Sequence, residues 1–292
     1  PLRKKMERGL AKVIGSAYKA REVRFHMPDF INMLLNAGDA RHPLGATIGQ
    51  SLPNWGKVAR EGRGRTVVMS NLYTDADSKR VSLKKAEALL SDETMKNFTS
   101  DAEPFLVNII LHEACHNFGP HSDYRIKGKA PKEIFGGALA STMEELKAQT
   151  GGLWFLGFLK KKGLITEAQL NQSYTQAITW AFGHISRGMF TPGGNVRVYS
   201  QLAAVQLGFF IKDKAITYNK GKFTIHFKKL AAAINKLMKV VGQIKATGDK
   251  DGARKLIDHY VTGKGKKLVR MEHITRQVLR YPKASFRYSV VY

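Results

Sequence analysis

The stretch NIILHEACHNFGP, residues 108–120, holds the side chains best suited to chemistry in this chain. His112 and His116 stand four apart, so on a helix their imidazoles share a face and can converge on one ion. Glu113 sits beside that face, where it could hold a metal-bound water and take its proton. The surrounding run is apolar, and two imidazoles and a carboxylate are costly to bury there without partners. The spacing H-E-x-x-H is short enough to arise by chance, so a metal reading needs a third ligand. That ligand should be a carboxylate on a nearby helix, and STMEELKAQTGG, residues 141–152, offers Glu144 and Glu145. Ser141 and Glu144 have capping-box spacing. Glu145 shares a face with Ala148 and Gly152, residues small enough to let another helix come close. The third ligand is therefore assigned to Glu145, with Glu144 the alternative, and the donor set points to zinc.

Several elements must position these groups. Pro104 suits a first helical turn and Gly119-Pro120 a stop, so a buried helix should carry both histidines. A glycine- and lysine-rich loop over 125–137 should lead to the helix of Glu144 and Glu145, which runs on into GGLWFLGFL. Helical patterns continue through TEAQLNQSYTQAITWAFGHI and SQLAAVQLGFFI, and AITYNKGKFTIHF alternates about a Lys-Gly turn as a hairpin does. Two basic helices, near 228–246 and 251–262, follow. Upstream of the motif, residues 3–38 read as helical with Gly38 a stop, and residues 43–64 as loop. TVVMSNLY then reads as a strand and residues 80–97 as helix. The sequence predicts a mostly α protein with a minor β component, in two parts. Residues 1–100 hold N-terminal helices, a loop and a short strand; residues 101–292 form a helical zinc-binding lobe.

Composition narrows the classes. At 292 residues with 43% hydrophobic content the chain can bury a sizeable core. No apolar run approaches the ~20 residues of a membrane span. The single cysteine, Cys115, excludes an internal disulfide and favours a reducing compartment such as the cytoplasm, though a periplasmic or secreted chain can also lack disulfides. Helical geometry turns Cys115 away from the histidine pair. The net charge is +25, and residues 211–292 carry 20 Lys and Arg against five Asp and Glu. Such a surface draws polyanions. These lysines are scattered without aromatic interleaving, however, which argues against nucleic acid as a partner and for a solvated face.

LHEACHNFGPH followed by ASTMEELKAQTGGLWFLGFLKKKGLI resembles the dipeptidyl-peptidase III family of zinc exopeptidases. Its members pair H-E-x-x-H, or a form one residue longer, with a downstream E-E-x-[KR]-A-[DE] segment and a Gly-Leu-aromatic run. Weaker similarity in AAVQLGFFIKDKAI, GKFTIHFKK and IKATGDKDGARKLIDHY extends the resemblance over residues 45–290. The resemblance implies that His112, His116 and Glu145 bind zinc, that Glu113 is the general base and that Glu144 is a supporting carboxylate. It implies a peptide substrate cleaved to release dipeptides. It also implies a helical zinc lobe facing a second lobe across a cleft, with much of that second lobe outside this chain.

Two positions depart from the family pattern. The family segment ends in an acid where Gln149 stands; an amide oxygen accepts the same hydrogen bond from an imidazole but adds no charge. The family opens the helix matching SQLAAVQLGFF with a histidine that steadies the transition state. Tyr199 stands there, with His184 the nearest upstream histidine, and a tyrosine hydroxyl can donate to an oxyanion. Two rivals follow: a zinc-binding protein with little peptidase activity that serves as a binding or structural protein, and a basic nucleic-acid-binding protein with structural zinc. Three protein ligands leave a fourth position free, which favours catalysis.

Overall fold

Helical periodicity runs through most of the chain, and helices supply most of the core. The computed structural model describes residues 2–23, 29–32, 49–52, 65–69, 75–121 and 124–281. Helix α1 (Leu2–Ile14) precedes three short strands, β1 (Asp29–Ile31), β2 (Gly49–Leu52) and β3 (Arg65–Met69). They form one sheet in the order β1-β3-β2, with β1 parallel and β2 antiparallel to β3. Helices α2 (Ala76–Leu89) and α3 (Asp92–Met95) lead to α4 (Ala102–His116), the motif helix. Then come α5 (Pro131–Phe135), α6 (Gly137–Lys161), α7 (Glu167–Ile185) and α8 (Val198–Lys212). The hairpin of β4 (Ile216–Asn219) and β5 (Lys222–Ile225) is followed by α9 (Phe227–Thr247), α10 (Lys250–Val261), α11 (Lys266–Val269) and α12 (Met271–Val278). The architecture is mostly α with a minor β part, as the periodicity predicts. Among the described residues no helix is long and apolar enough to cross a membrane.

The hairpin turns where Lys220 and Gly221 both take positive φ, 46° and 84°, the pair of left-handed residues that suits a two-residue turn. Elsewhere local chemistry overrode periodicity. The helix expected to run on from residue 3 ends at Ile14, because Gly15 takes φ 87° and the chain turns away. Asp29–Ile31, read as helical, pairs with Val67–Met69 as a strand, and Gly49–Leu52, read as loop, pairs with Arg65–Val68. The stop expected at Gly38 lies outside the described residues. The 125–137 loop contains the helical turn α5, started by Pro131. Ser141 caps nothing. Gly136 and Gly137, with φ of 74° and 43°, let α6 begin at Gly137, so Ser141 lies inside the helix.

Helix α6 is the central element and packs against α4, α8 and α9. It comes unusually close to α4. A Cβ added to Gly152 would stand 3.1 Å from the backbone nitrogen of His112, and one added to Gly151 would stand 2.1 Å from Cys115 Sγ. The small residues thus seat the backbone of the histidine-bearing turn directly on α6. Phe118 and Phe155, both fully buried, close the contact with ring centroids 5.0 Å apart in an edge-to-face arrangement. Such a pair contributes about 0.5–1.5 kcal/mol beyond its burial.

Gly151→Ala tests this seating. An alanine favours the helix by ~1 kcal/mol over glycine, but the overlap with Cys115 should cost about 1–3 kcal/mol. Chemical denaturation should therefore show a net loss of stability, and adding Cys115→Ala to the same chain should recover part of it. A Gly151→Ala chain as stable as wild type would show that the two helices are not held this closely.

Candidate metal centre

The α4–α6 contact sets the geometry of the site. His112 and His116 fall on the face of α4 turned to α6, and Glu144, Glu145 and Gln149 answer from α6. Each imidazole has its Nδ1 held by an acceptor. His112 Nδ1–H donates to Gln149 Oε1 at 2.8 Å, and His116 Nδ1–H donates to Glu144 Oε1 at 2.9 Å. An amide oxygen and an ionised carboxylate can only accept, so the Nδ1 atoms carry the protons and the Nε2 lone pairs are left bare. Those lone pairs face each other, 3.2 Å apart. Glu145 Oε2 lies 3.2 Å from His112 Nε2 and 3.7 Å from His116 Nε2, buried and accepting no hydrogen bond.

Three electron-pair donors aimed at one point repel one another unless something positive lies between them. Ligands ~2.0–2.2 Å from a tetrahedral ion stand ~3.3 Å from each other, which matches this triangle. The residues present fit zinc: two imidazoles and a carboxylate, with the carboxylate oxygen otherwise orphaned. The field at the site acts the same way on protons. Burial disfavours the His112 imidazolium, but Glu145, then Glu113 and Gln149, outweigh it and raise the His112 pKa. Glu113 is half-buried, and its carboxylate oxygen groups with the two histidine nitrogens within 4.8 Å. Two carboxylates therefore border the same space, Glu113 and Glu145.

Glu144 has a different environment. Its Oε1 lies 3.0 Å from Lys147 Nζ, and its Oε2 pairs with Lys245. Burial alone would raise its pKa; the two lysines, then His116, drive it well below the ordinary carboxylate range. Burial in turn lowers Lys245 to about 8, with Glu144 opposing. Lys147 is completely buried and donates to the carbonyl oxygens of Cys115 at 2.7 Å and His116 at 3.2 Å, at the end of α4. Neither lysine stood out in the sequence. Lys147 was marked only by its spacing three places after Glu144 and by the basic position of the E-E-x-[KR]-A-[DE] segment, and Lys245 by nothing. Cys115 packs its thiol against Gly151 of helix α6, and desolvation pushes it up to about 12.

Tyr199 opens α8 and is partly exposed beside this space. Burial of its hydroxyl, then the charge of Glu145 and a hydrogen bond to it, then Glu113, raise its pKa, so it stays a proton donor. His184 lies behind it. Its ring packs on Trp180 with centroids 4.3 Å apart and stands 5.4 Å from the Tyr199 ring. Burial, then Arg187, depress His184 to about 3, so it is neutral at physiological pH. The structure thus brings together His112, Glu113, His116, Glu144, Glu145, Gln149 and Tyr199, and sets His184 behind Tyr199.

No family model matches the chain. It is 28% identical over 265 residues to Nudix hydrolase 3 of Arabidopsis thaliana, covering 89% of this chain and 33% of that protein. Among solved structures it superposes on dipeptidyl-peptidase III of Corallococcus sp. strain EGB with TM-score 0.79 and 25% identity, over 98% of this chain and 51% of that one. For dipeptidyl-peptidase III of Caldithrix abyssi the TM-score is again 0.79, at 21% identity, over 96% of this chain and 51% of that one. The chain thus spans a third of the plant protein and about half of each peptidase structure, and its fold resembles that of dipeptidyl-peptidase III.

Metal analysis of the 292-residue chain should find one zinc per chain, retained in Glu113→Gln and lost in His112→Ala and Glu145→Ala. Glu144→Gln should keep the site but weaken zinc binding by about 10–100-fold, the usual effect of removing a group that orients a ligand imidazole. Full zinc occupancy in Glu145→Ala, measured against a competing chelator, would move the third ligand to another carboxylate.

Proposed function

We propose that this chain is the metal-bearing part of a zinc metallopeptidase that releases dipeptides from short peptides. The observation that carries the reading is the convergence of His112 Nε2, His116 Nε2 and Glu145 Oε2 on one point, with Glu113 beside it. His112, His116 and Glu145 would hold the zinc, which when bound supplies Lewis acidity at neutral pH. The likeness of fold to dipeptidyl-peptidase III supports the substrate class.

The remaining roles belong to this chain's own residues. Glu113, bordering the site without ligating, accepts a proton from water and later delivers it to the leaving amine. The Tyr199 hydroxyl, held protonated, donates to the oxygen on which negative charge develops. Gln149 and Glu144 fix the two imidazoles as Nδ1–H tautomers, which presents both Nε2 lone pairs to the same point. His184 supports the face of Tyr199 as a neutral ring. The plant relative is named a hydrolase, and this chain matches a third of it. A donor set of two imidazoles and one carboxylate suits zinc better than the all-oxygen coordination that magnesium prefers.

The test is hydrolysis of dipeptidyl reporter substrates with and without added zinc. Glu113→Gln should retain zinc and fold while turnover falls by ~10²–10⁴-fold, the usual contribution of a general base. Tyr199→Phe should cost on the order of 10²-fold in kcat, as loss of one oxyanion donor does. Equal, slow hydrolysis by wild type and Glu113→Gln would exclude catalysis and leave a zinc-binding protein without peptidase activity.

A further inference from the structure

The turn that ends the motif helix is held from outside, by a segment about a hundred residues away in sequence. Helix α1 is seated by two glycines. A Cβ on Gly9 would stand 2.9 Å from the Trp154 ring, and one on Gly242 would stand 2.4 Å from Ile14 Cγ1. Gln243 Nε2 donates to Ile14 O at 3.0 Å, and Leu10 and Ile14 are fully buried. This docking places three polar residues against residues 117–119. Glu7 is 1% exposed; its Oε2 accepts from the Gly119 amide at 3.0 Å and its Oε1 from the Tyr18 hydroxyl at 2.5 Å. The Tyr18 hydroxyl also meets Gly119 O at 2.9 Å, and Arg21 Nη2 donates to Asn117 O.

Lys147 Nζ lies 2.7–3.3 Å from the carbonyl oxygens of Cys115, His116 and Phe118, and Arg21 donates to that of Asn117. A helix normally leaves its last carbonyls to water or to a local turn. Here Lys147, from α6, takes those of Cys115 and His116, and Arg21 takes that of Asn117, the residue that caps the helix, where cations also interact favourably with the helix dipole. His116 is the last residue of that helix, so its ring can move only as far as this end moves.

We propose that residues 2–23 are a positioning clamp for the metal site: Glu7, Tyr18 and Arg21 fix the end of the motif helix and so hold His116 in ligating register. The proposal rests on the metal reading above. Glu7, Tyr18 and Arg21 touch neither the ion's position nor a substrate; they act through the backbone of residues 117–119.

Tyr18→Phe is the sharpest test, because it keeps the ring and removes only the hydroxyl. In the metal-free chain, amide exchange at Asn117, Phe118 and Gly119 should speed up by tenfold or more while α6 is unchanged. Zinc affinity, measured against a competing chelator, should fall about tenfold or more, as for other groups that orient a ligand. The visible spectrum of the cobalt-substituted protein should change. Gly208→Ala, which presses on the Tyr260 ring far along the chain, serves as a control destabilised without contact to the clamp. Arg21→Lys should keep most of the affinity and Arg21→Met should not. Wild-type zinc affinity and an unchanged cobalt spectrum in Tyr18→Phe would overturn the clamp, as would an equal loss in Gly208→Ala. If wild type itself bound no zinc, the metal reading would fall, and the exchange measurement would decide the clamp by itself.

Discussion

Two bare imidazole nitrogens and a carboxylate oxygen, held 3.2–3.7 Å apart within a helix pair, are the constraint to which the rest of this structure answers. Electron pairs so arranged repel, and burial removes the water that would screen them. The fold has to impose the arrangement. It does so first by close backbone approach, with Gly151 and Gly152 letting α4 settle on α6 where any side chain would hold it off. It does so again with polar anchors on the far nitrogens, one neutral and one charged. The charged anchor is the more demanding, because a buried carboxylate needs compensation of its own. Lys147 and Lys245 provide it, and leaving such a group unpaired costs about 3–5 kcal/mol.

Much of this was legible in the sequence. The 3.6-residue pattern located α4, α6, α7, α8 and α9, and the His112–His116 spacing named the face that would matter. Glu145 could be singled out because the small residues at i+3 and i+7 signalled a close neighbour. What could not be read was set by tertiary contact or by glycine conformation. A capping box at Ser141 and Glu144 matches the pattern, but Gly136 and Gly137 start the helix earlier, and Glu144 turns to His116 and two lysines. Lys245 lies 101 residues from Glu144, and nothing in local spacing links them. The strand at Asp29–Ile31 is fixed by its pairing with β3, which overrides a sequence that reads equally well as helix.

The two departures from the family pattern acquire a physical meaning once the charges are counted. Glu113, Glu144 and Glu145 face Lys147 and Lys245, three carboxylates against two ammonium groups, with both histidines neutral in the ligating form. A divalent cation would bring this cluster to one positive charge. An acid in place of Gln149 would bring it to zero. The amide keeps the hydrogen bond to His112 Nδ1 and so keeps the tautomer, while leaving one more unit of positive potential where an oxyanion would form. Tyr199 is consistent with that balance. A neutral imidazole N–H and a neutral hydroxyl can each donate there without adding charge. The neighbouring His184 is neutral for reasons of its own, chiefly burial and then the charge of Arg187. Gln149 and Tyr199 are thus both neutral groups set beside charged ones, Gln149 holding His112 Nδ1 and Tyr199 facing the carboxylates of Glu145 and Glu113.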